Sequence, residues 1–154
     1  MSEIRIKSLV VGMVGTNCYL VYDHETKRAA VIDPGDGAGQ IANMAVSLGL
    51  KPEAILLTHG HFDHTLGVEF LKQTYGIPFA LSAKDAFLLD GAALSGGIYG
   101  VHVGKMPSID LDLDGQAEIR FGHTVLQVIP TPGHTPGHVS LYEPTEGILF
   151  TGDT

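Results

Sequence analysis

An α/β fold is predicted by three features of the sequence. Short runs of apolar and β-branched residues, separated by Gly, Pro and polar turns, fill both ends of the chain and read as strands. Between them, apolar residues recur at helical spacing twice, at Ile41, Met44, Ala45 and Leu48 and at Leu66, Phe70, Leu71 and Tyr75. The third feature joins the two periods. The apolar run Ala54-Ile55-Leu56-Leu57 leads straight into Thr58-His59-Gly60-His61-Phe62-Asp63-His64, so a buried strand turns into a helix through a cluster of ionisable side chains.

Taken in order, Ile4 to Val11 and Thr16 to Tyr22 read as strands joined by a turn over Gly12 to Gly15. Arg28 to Ile32 completes a meander after the polar turn Asp23-His24-Glu25-Thr26. Asp33-Pro34-Gly35-Asp36-Gly37 stops that strand. Asp33, at the strand's C-terminal end, either orients a ligand histidine or closes an Asx-turn. The first helical stretch is amphipathic, with Gly49 as its C-cap. The second follows the His/Asp cluster to about Gly76, and Pro78 to Leu81 is a short strand. Ser82, with Asp85 three residues on, opens another helix by a capping-box pattern.

Regularity is lost between Asp90 and Pro107, where Gly91, Gly96, Gly97, Gly100 and Gly104 are strewn among Tyr99 and His102. This stretch reads as a long mobile loop bordering an active site, with Tyr99 or His102 as substrate contacts. No phosphate-cradling glycine spacing is present. A second run of strands covers Ile109 to Leu113, Ala117 to Phe121, Thr124 to Pro130, Val139 to Tyr142 and Gly147 to Phe150, with His123 exposed in a tight turn.

The chemistry concentrates at the end of the Ala54–Leu57 strand. Three imidazoles and a carboxylate within six positions suit zinc or iron. On a helix His59 and His61 would point about 200° apart. In extended chain, positions two apart share a face, so the two converge on one ion only from an extended loop, which Gly60 allows to bend. Asp63 and His64, adjacent at the helix start, diverge and can reach a second ion. Thr131-Pro132-Gly133-His134-Thr135-Pro136-Gly137-His138 also follows a strand, and its two Pro and two Gly fix the path of the chain as a metal ligand requires. Asp153 places one more carboxylate after a strand.

Composition bounds the rest. The 154 residues are one domain's worth, 44% hydrophobic and 17% charged, the balance of a soluble globular protein. A formal charge of −8 with no Lys/Arg cluster argues against a nucleic-acid partner. The chain start has no long apolar region and nothing reaches a membrane-spanning length, so a cytoplasmic location is expected. Cys18, the single cysteine, fits that reducing compartment. It lies in an apolar strand and reads as core rather than nucleophile.

The strand-borne Thr58-His59-Gly60-His61-Phe62-Asp63-His64, a histidine in a Pro/Gly turn about seventy residues on and an Asp after another strand together resemble the metallo-β-lactamase superfamily. Asn17 to Leu20, Val31 to Gly35, Leu57 to His64, Thr131 to His138 and Phe150 to Thr154 are similar to its glyoxalase II branch, the hydroxyacylglutathione hydrolases and their small relatives. The resemblance implies an αββα sandwich in a single domain over residues 1–154. It implies that His59, His61 and His134 hold a first metal, that Asp63 and His64 hold a second, and that Asp153 bridges the two, with His138 left structural. The ions would be one or two zinc, with iron or manganese as alternatives, about 3.5–4 Å apart in a binuclear site. Relative to the family pattern the chain lacks a further histidine ligand, the last strands and a helix after Asp153.

The function implied is metal-dependent hydrolysis of thioesters or related acyl esters. Metal-bound hydroxide would attack, and Asp63, as catalytic residue, would orient it or accept its proton. The partner would be a small acyl substrate such as a glutathione thioester. Two alternatives are a mononuclear iron persulfide dioxygenase, using the equivalents of His59, His134 and Asp153, and a non-catalytic metal-binding domain. Oligomeric state is not legible.

Overall fold

The computed structural model describes residues 3–154; Met1 and Ser2 lie outside the described residues. Strands β1 (Ile4–Val11), β2 (Thr16–Asp23) and β3 (Arg28–Ile32) form the expected antiparallel meander, with Leu9 opposite Cys18 and Leu20 opposite Val31. Helix α1 (Ala38–Ser47) then carries the chain to β4 (Lys51–Leu56), which pairs with β3 in parallel, as a strand–helix–strand crossover requires. Gly49 stands one position beyond the cap residue Leu48, at φ +68°, donating to the Val46 carbonyl while Leu50 donates to Ala45. That paired closure uses the left-handed conformation glycine adopts without strain.

β5 (Phe79–Leu81) and β6 (Leu111–Asp112) extend the first sheet in parallel. β7 (Glu118–Phe121), β8 (Thr124–Pro130), β9 (Val139–Glu143) and β10 (Ile148–Phe150) form a separate antiparallel sheet. The 109–113 segment therefore closes the first sheet instead of opening the second. Asp110 holds it there, its N–H on the Phe79 carbonyl at 2.9 Å and its carboxylate on the Phe79 N–H at 2.8 Å.

The layers follow from which faces are apolar. Leu20, Val31, Ile55 and Leu57 pack against Ile41 and Ala45 of α1 and against Val68 and Leu71 of the third helix. The opposite face of the same sheet (Val21, Ala30, Ile32, Leu56) meets Phe121, Leu126, Leu141 and Phe150 of the second sheet. Ile129 and Leu149 on that sheet's far side are exposed, with no helix over them among the described residues. Cys18 is fully buried, and burial pushes its thiol pKa well above the ordinary thiol range, as expected of core. Among the described residues no helix is long and apolar enough to cross a membrane.

Four local expectations are corrected or refined. The helix after the His/Asp cluster is two helices, α2 (Phe62–Thr65) and α3 (Val68–Tyr75), parted at Gly67. Gly67 donates to the Pro34 carbonyl at 2.6 Å, and this close approach to the turn after β3 breaks the axis. The segment expected as one loop contains α5 (Ala92–Ile98), with Gly96 packed under Val103 and Phe62. Ser82 caps only a 3₁₀ turn, Ala83–Asp85, through a bond from the Lys84 N–H, before α4 (Ala86–Asp90) begins. His123, expected to be simply exposed, has an exposed ring, but its backbone N–H donates to the buried Asp23 carboxylate at 2.6 Å.

A Cβ at Gly67 would stand 2.5 Å from the Pro34 carbonyl oxygen and 2.8 Å from that of Gly35. Gly67→Ala should therefore cost about 1–3 kcal/mol, the usual price of overpacking. Thermal unfolding of the variant checks this; an unchanged midpoint would mean that the turn moves aside freely.

Candidate metal centre

The centre forms where four strands end at one edge of the two sheets. Asp33 follows β3, at φ +52°. It accepts the Thr58 N–H at 2.8 Å and the Thr58 hydroxyl at 2.7 Å, and stands 3.1 Å from His64 Nδ1. Of the two roles its position allowed, it takes the orienting one. Thr58 Oγ1 also lies 3.0 Å from His59 Nδ1. Because the hydroxyl proton goes to Asp33, the oxygen can only accept from His59, so Nδ1 carries the hydrogen and Nε2 the lone pair. That Nε2 is buried and has no hydrogen-bond partner among the described residues.

His61 sits in extended backbone just before α2, as convergence of the two histidines requires. His134 comes from the turn after β8, and its Nε2 lies 3.0 Å from His61 Nδ1. Ligand atoms of His59, His61 and His134 fall within 4.8 Å of one another, and so do those of His59, His64 and Asp153. Asp153 lies between the two groups, 3.3 Å from both His64 Nε2 and His134 Nε2. A buried lone pair without a partner, facing three further imidazoles and a carboxylate, is a donor set that fits a divalent metal ion.

Asp63 stands 3.3 Å from His64 Nε2, outside the two trios, and the Thr16 hydroxyl at the start of β2 donates to its Oδ2 at 2.9 Å. His138 is likewise in neither trio. Its Nε2 faces the Asp153 N–H at 3.3 Å, its Nδ1 faces Thr131 Oγ1 at 2.8 Å, and its ring stacks on His59. Tyr99 reaches the site mouth and packs on Phe62, whereas His102 faces a different hollow beside Glu69 and Lys105. Sequence spacing does not single out Thr16 or Thr58, whose partners are 47 and 25 residues away.

The electrostatics divide the cluster. Burial, then the neighbouring imidazoles with His64 foremost, lowers the His59 pKa to about 2. Burial would also keep His64 neutral, but Asp33 and Asp63 outweigh it and push its pKa up to about 10. Burial raises Asp63, yet bonds from His64 and Thr16 bring it down to about 2.

The model of the metallo-beta-lactamase superfamily matches residues 11–154. This chain belongs to that superfamily. It is 32% identical to hydroxyacylglutathione hydrolase GloC of Haemophilus influenzae over 97% of this chain and 71% of that protein. Among solved structures it is similar to BLEG-1 B3 metallo-beta-lactamase, with 35% identity, TM-score 0.88, and coverage of 97% of this chain and 72% of that one. It is likewise similar to TTHA1623 in a di-iron-bound form, with 35% identity, TM-score 0.82, and coverage of 96% and 71%. The α/β sandwich and the metal-binding histidine cluster are thus those of a family of metal-dependent hydrolases, and the di-iron relative shows that the cluster type is not confined to zinc.

The two largest histidine shifts act on opposite sides of pH 6.5. His59, depressed on folding, contributes stability that is complete above about pH 6.5 and is lost as pH falls toward 2. His64, raised on folding, contributes stability that is complete below about pH 6.5 and is lost as pH rises toward 10. The metal-free protein should therefore be most stable near pH 6.5, with an acid arm that starts above the ordinary carboxylate range. Denaturant midpoints in the presence of a chelator check this. His59→Gln should flatten the acid arm, and a profile rising steadily into alkali would contradict the His64 ion pairs.

Proposed function

We propose that the chain is a metal-dependent hydrolase of thioesters or related acyl esters, with His59, His61 and His134 holding one zinc ion. His64 and Asp153 would hold a second ion, with Asp153 also within reach of His134. The observation that carries this reading is the buried, unpartnered His59 Nε2, turned inward by Thr58 toward two convergent ligand trios. When bound, a divalent ion supplies a Lewis acid for the acyl carbonyl and lowers the pKa of a bound water to about 7.

The chain's own groups do the remainder. Asp63, ionised at neutral pH and fixed by Thr16, accepts a hydrogen bond from the attacking water and aims it. With a pKa of about 2 it is a poor proton store, so orientation is its role rather than lasting proton acceptance. Val14, Phe62, Ile98 and Tyr99 line a cleft of about 410 Å³ together with His61, Asp63, His134 and Asp153. This apolar wall holds the acyl part of the substrate against the centre and excludes water around it. The likeness to GloC supports thioesters, glutathione thioesters included, as the substrate class. The likeness to BLEG-1 makes a β-lactam the natural comparison substrate.

The test measures metal content and then turnover on S-lactoylglutathione, simple acyl thioesters and a β-lactam. Thioester hydrolysis that disappears with a chelator and returns with zinc is expected. A metal-loaded protein inactive on every thioester would overturn the reading. Asp63→Asn should lower turnover by about two orders of magnitude or more while the His59–His61–His134 ion stays bound, in keeping with the usual worth of a positioned acid–base group. His61→Ala should lose most bound metal along with activity; full metal occupancy in that variant would refute the ligand assignment.

A further inference from the structure

We propose that Asp85 is the positioning residue that sets the distance between the two loops carrying His59, His61 and His134. The proposal rests on the reading of those three histidines as one metal site. The loops come from different sheets. His59 and His61 follow β4 in the first sheet, and His134 follows β8 in the second. Asp85 lies on a third segment, the 3₁₀ turn after β5, and its carboxylate bonds to both loops. Oδ2 accepts the Gly60 N–H at 3.1 Å and the Thr135 hydroxyl at 2.6 Å, while Oδ1 accepts the Gly137 N–H at 2.7 Å. Gly60 stands between His59 and His61, and Thr135 directly follows His134.

The carboxylate is fully buried, and no cation pairs with it among the described residues. A buried charge is tolerated only when its lone pairs are well used, and here three donors from two loops use them. Capping does not account for this side chain. Ser82 caps the turn by itself, and the Asp85 carboxylate points to residues 25, 50 and 52 positions away. Both backbone donors are glycines with no room for anything larger. A Cβ at Gly137 would stand 2.8 Å from Asp85 Oδ1, and one at Gly60 would stand 2.9 Å from the Asp85 carbonyl oxygen and 3.2 Å from its Cβ. Backbone and carboxylate thus meet at the closest approach the chain allows.

The His134 turn is otherwise closed mainly on itself, through Gly133 to Thr135 and Thr131 to His138, with one backbone bond from Val139 to Thr58 tying its far end to the first loop. Asp85 is what fixes the near end, beside His134. An amide cannot replace it without loss. Donors approach both oxygens, so asparagine must set its own N–H₂ against either the Gly137 N–H or the Gly60–Thr135 pair. The result is a shift of one loop against the other at constant side-chain volume.

The experiment uses the full chain and reads the affinity of the first zinc equivalent by competition with a chelator, together with the visible absorption of the cobalt(II) form. Asp85→Asn should weaken zinc by about 10- to 100-fold, the usual effect of losing a group that orients metal ligands, and should change the cobalt bands. Thr135→Val, which removes one donor only, should do the same to a smaller extent, and Thr135→Ser should restore both readouts. A merely structural Asp85 would lower the unfolding midpoint and leave the affinity and the cobalt spectrum of the folded fraction unchanged, which would overturn the proposal. If Asp85→Asn fails to fold, wild-type affinity and spectrum in Thr135→Val overturn it equally. A wild-type chain that takes up no zinc overturns the ligand reading and this proposal with it. Zinc bound equally by wild type and both variants overturns the role of Asp85 alone.

Discussion

The Asp33 carboxylate binds both halves of the centre to one buried charge. Through the Thr58 hydroxyl it fixes the tautomer of His59, and directly it stands against His64. Neither effect is local in sequence. Asp33 reaches Thr58 because β3 and β4 run parallel with Ile32 beside Leu56, and the Asp33 N–H continues that ladder to the Leu56 carbonyl at 3.0 Å. Parallel pairing brings the C-terminal ends of both strands to the same edge, so the crossover through α1 is what makes the Asp33–Thr58–His59 chain of bonds possible. The left-handed backbone of Asp33, uncommon outside glycine, is held by the same bonds.

The second sheet contributes from the opposite side. Apolar packing of Ile32 and Leu56 against Leu141 and Phe150 sets the separation of the sheets, and Tyr19 meets Phe150 edge-on with ring centres 5.2 Å apart. Asp153 lies three residues beyond Phe150, so core packing sets where the strand that leads to it ends. The Asp153 N–H facing His138 and the tight approach of Gly152 to Thr58 complete that link. The buried polar bonds supply direction, while the apolar layer supplies distance.

Much of this was legible in the sequence because its signals are local. β1, β3 and β8 fall where alternation and turn residues put them. The extended backbone at His61 follows from the need for two histidines spaced two apart to converge. What escaped depends on distant partners. Gly96 and Gly97 read as breakers, yet α5 forms because Gly96 lets the helix lie against Val103. The break at Gly67 answers to Pro34, 33 positions earlier. The bond from Thr16 to Asp63 joins residues 47 positions apart and leaves no local signal. Asp85 carried a capping signal that was half correct, since Ser82 caps and the carboxylate serves residues far along the chain.

The two trios share His59 and differ in their protons. Asp33, Asp63 and Asp153 gather around His64; burial would lower its pKa, but Asp33 and Asp63 outweigh it and raise it to about 10. His59 meets a hydroxyl on one nitrogen and only Asp153, at 3.6 Å, on the other. Among the charges acting on it, that of His64 is the foremost in lowering its pKa. Burial, and after it the charge on the neighbouring imidazole, thus keeps a proton off His59, with the ring centres 4.1 Å apart. A cation entering between His59, His61 and His134 finds no proton to displace on His59, whereas one entering at His64 must first release the proton that the carboxylates hold there. His59 therefore offers its lone pair to a cation at neutral pH, and His64 offers one only as pH rises.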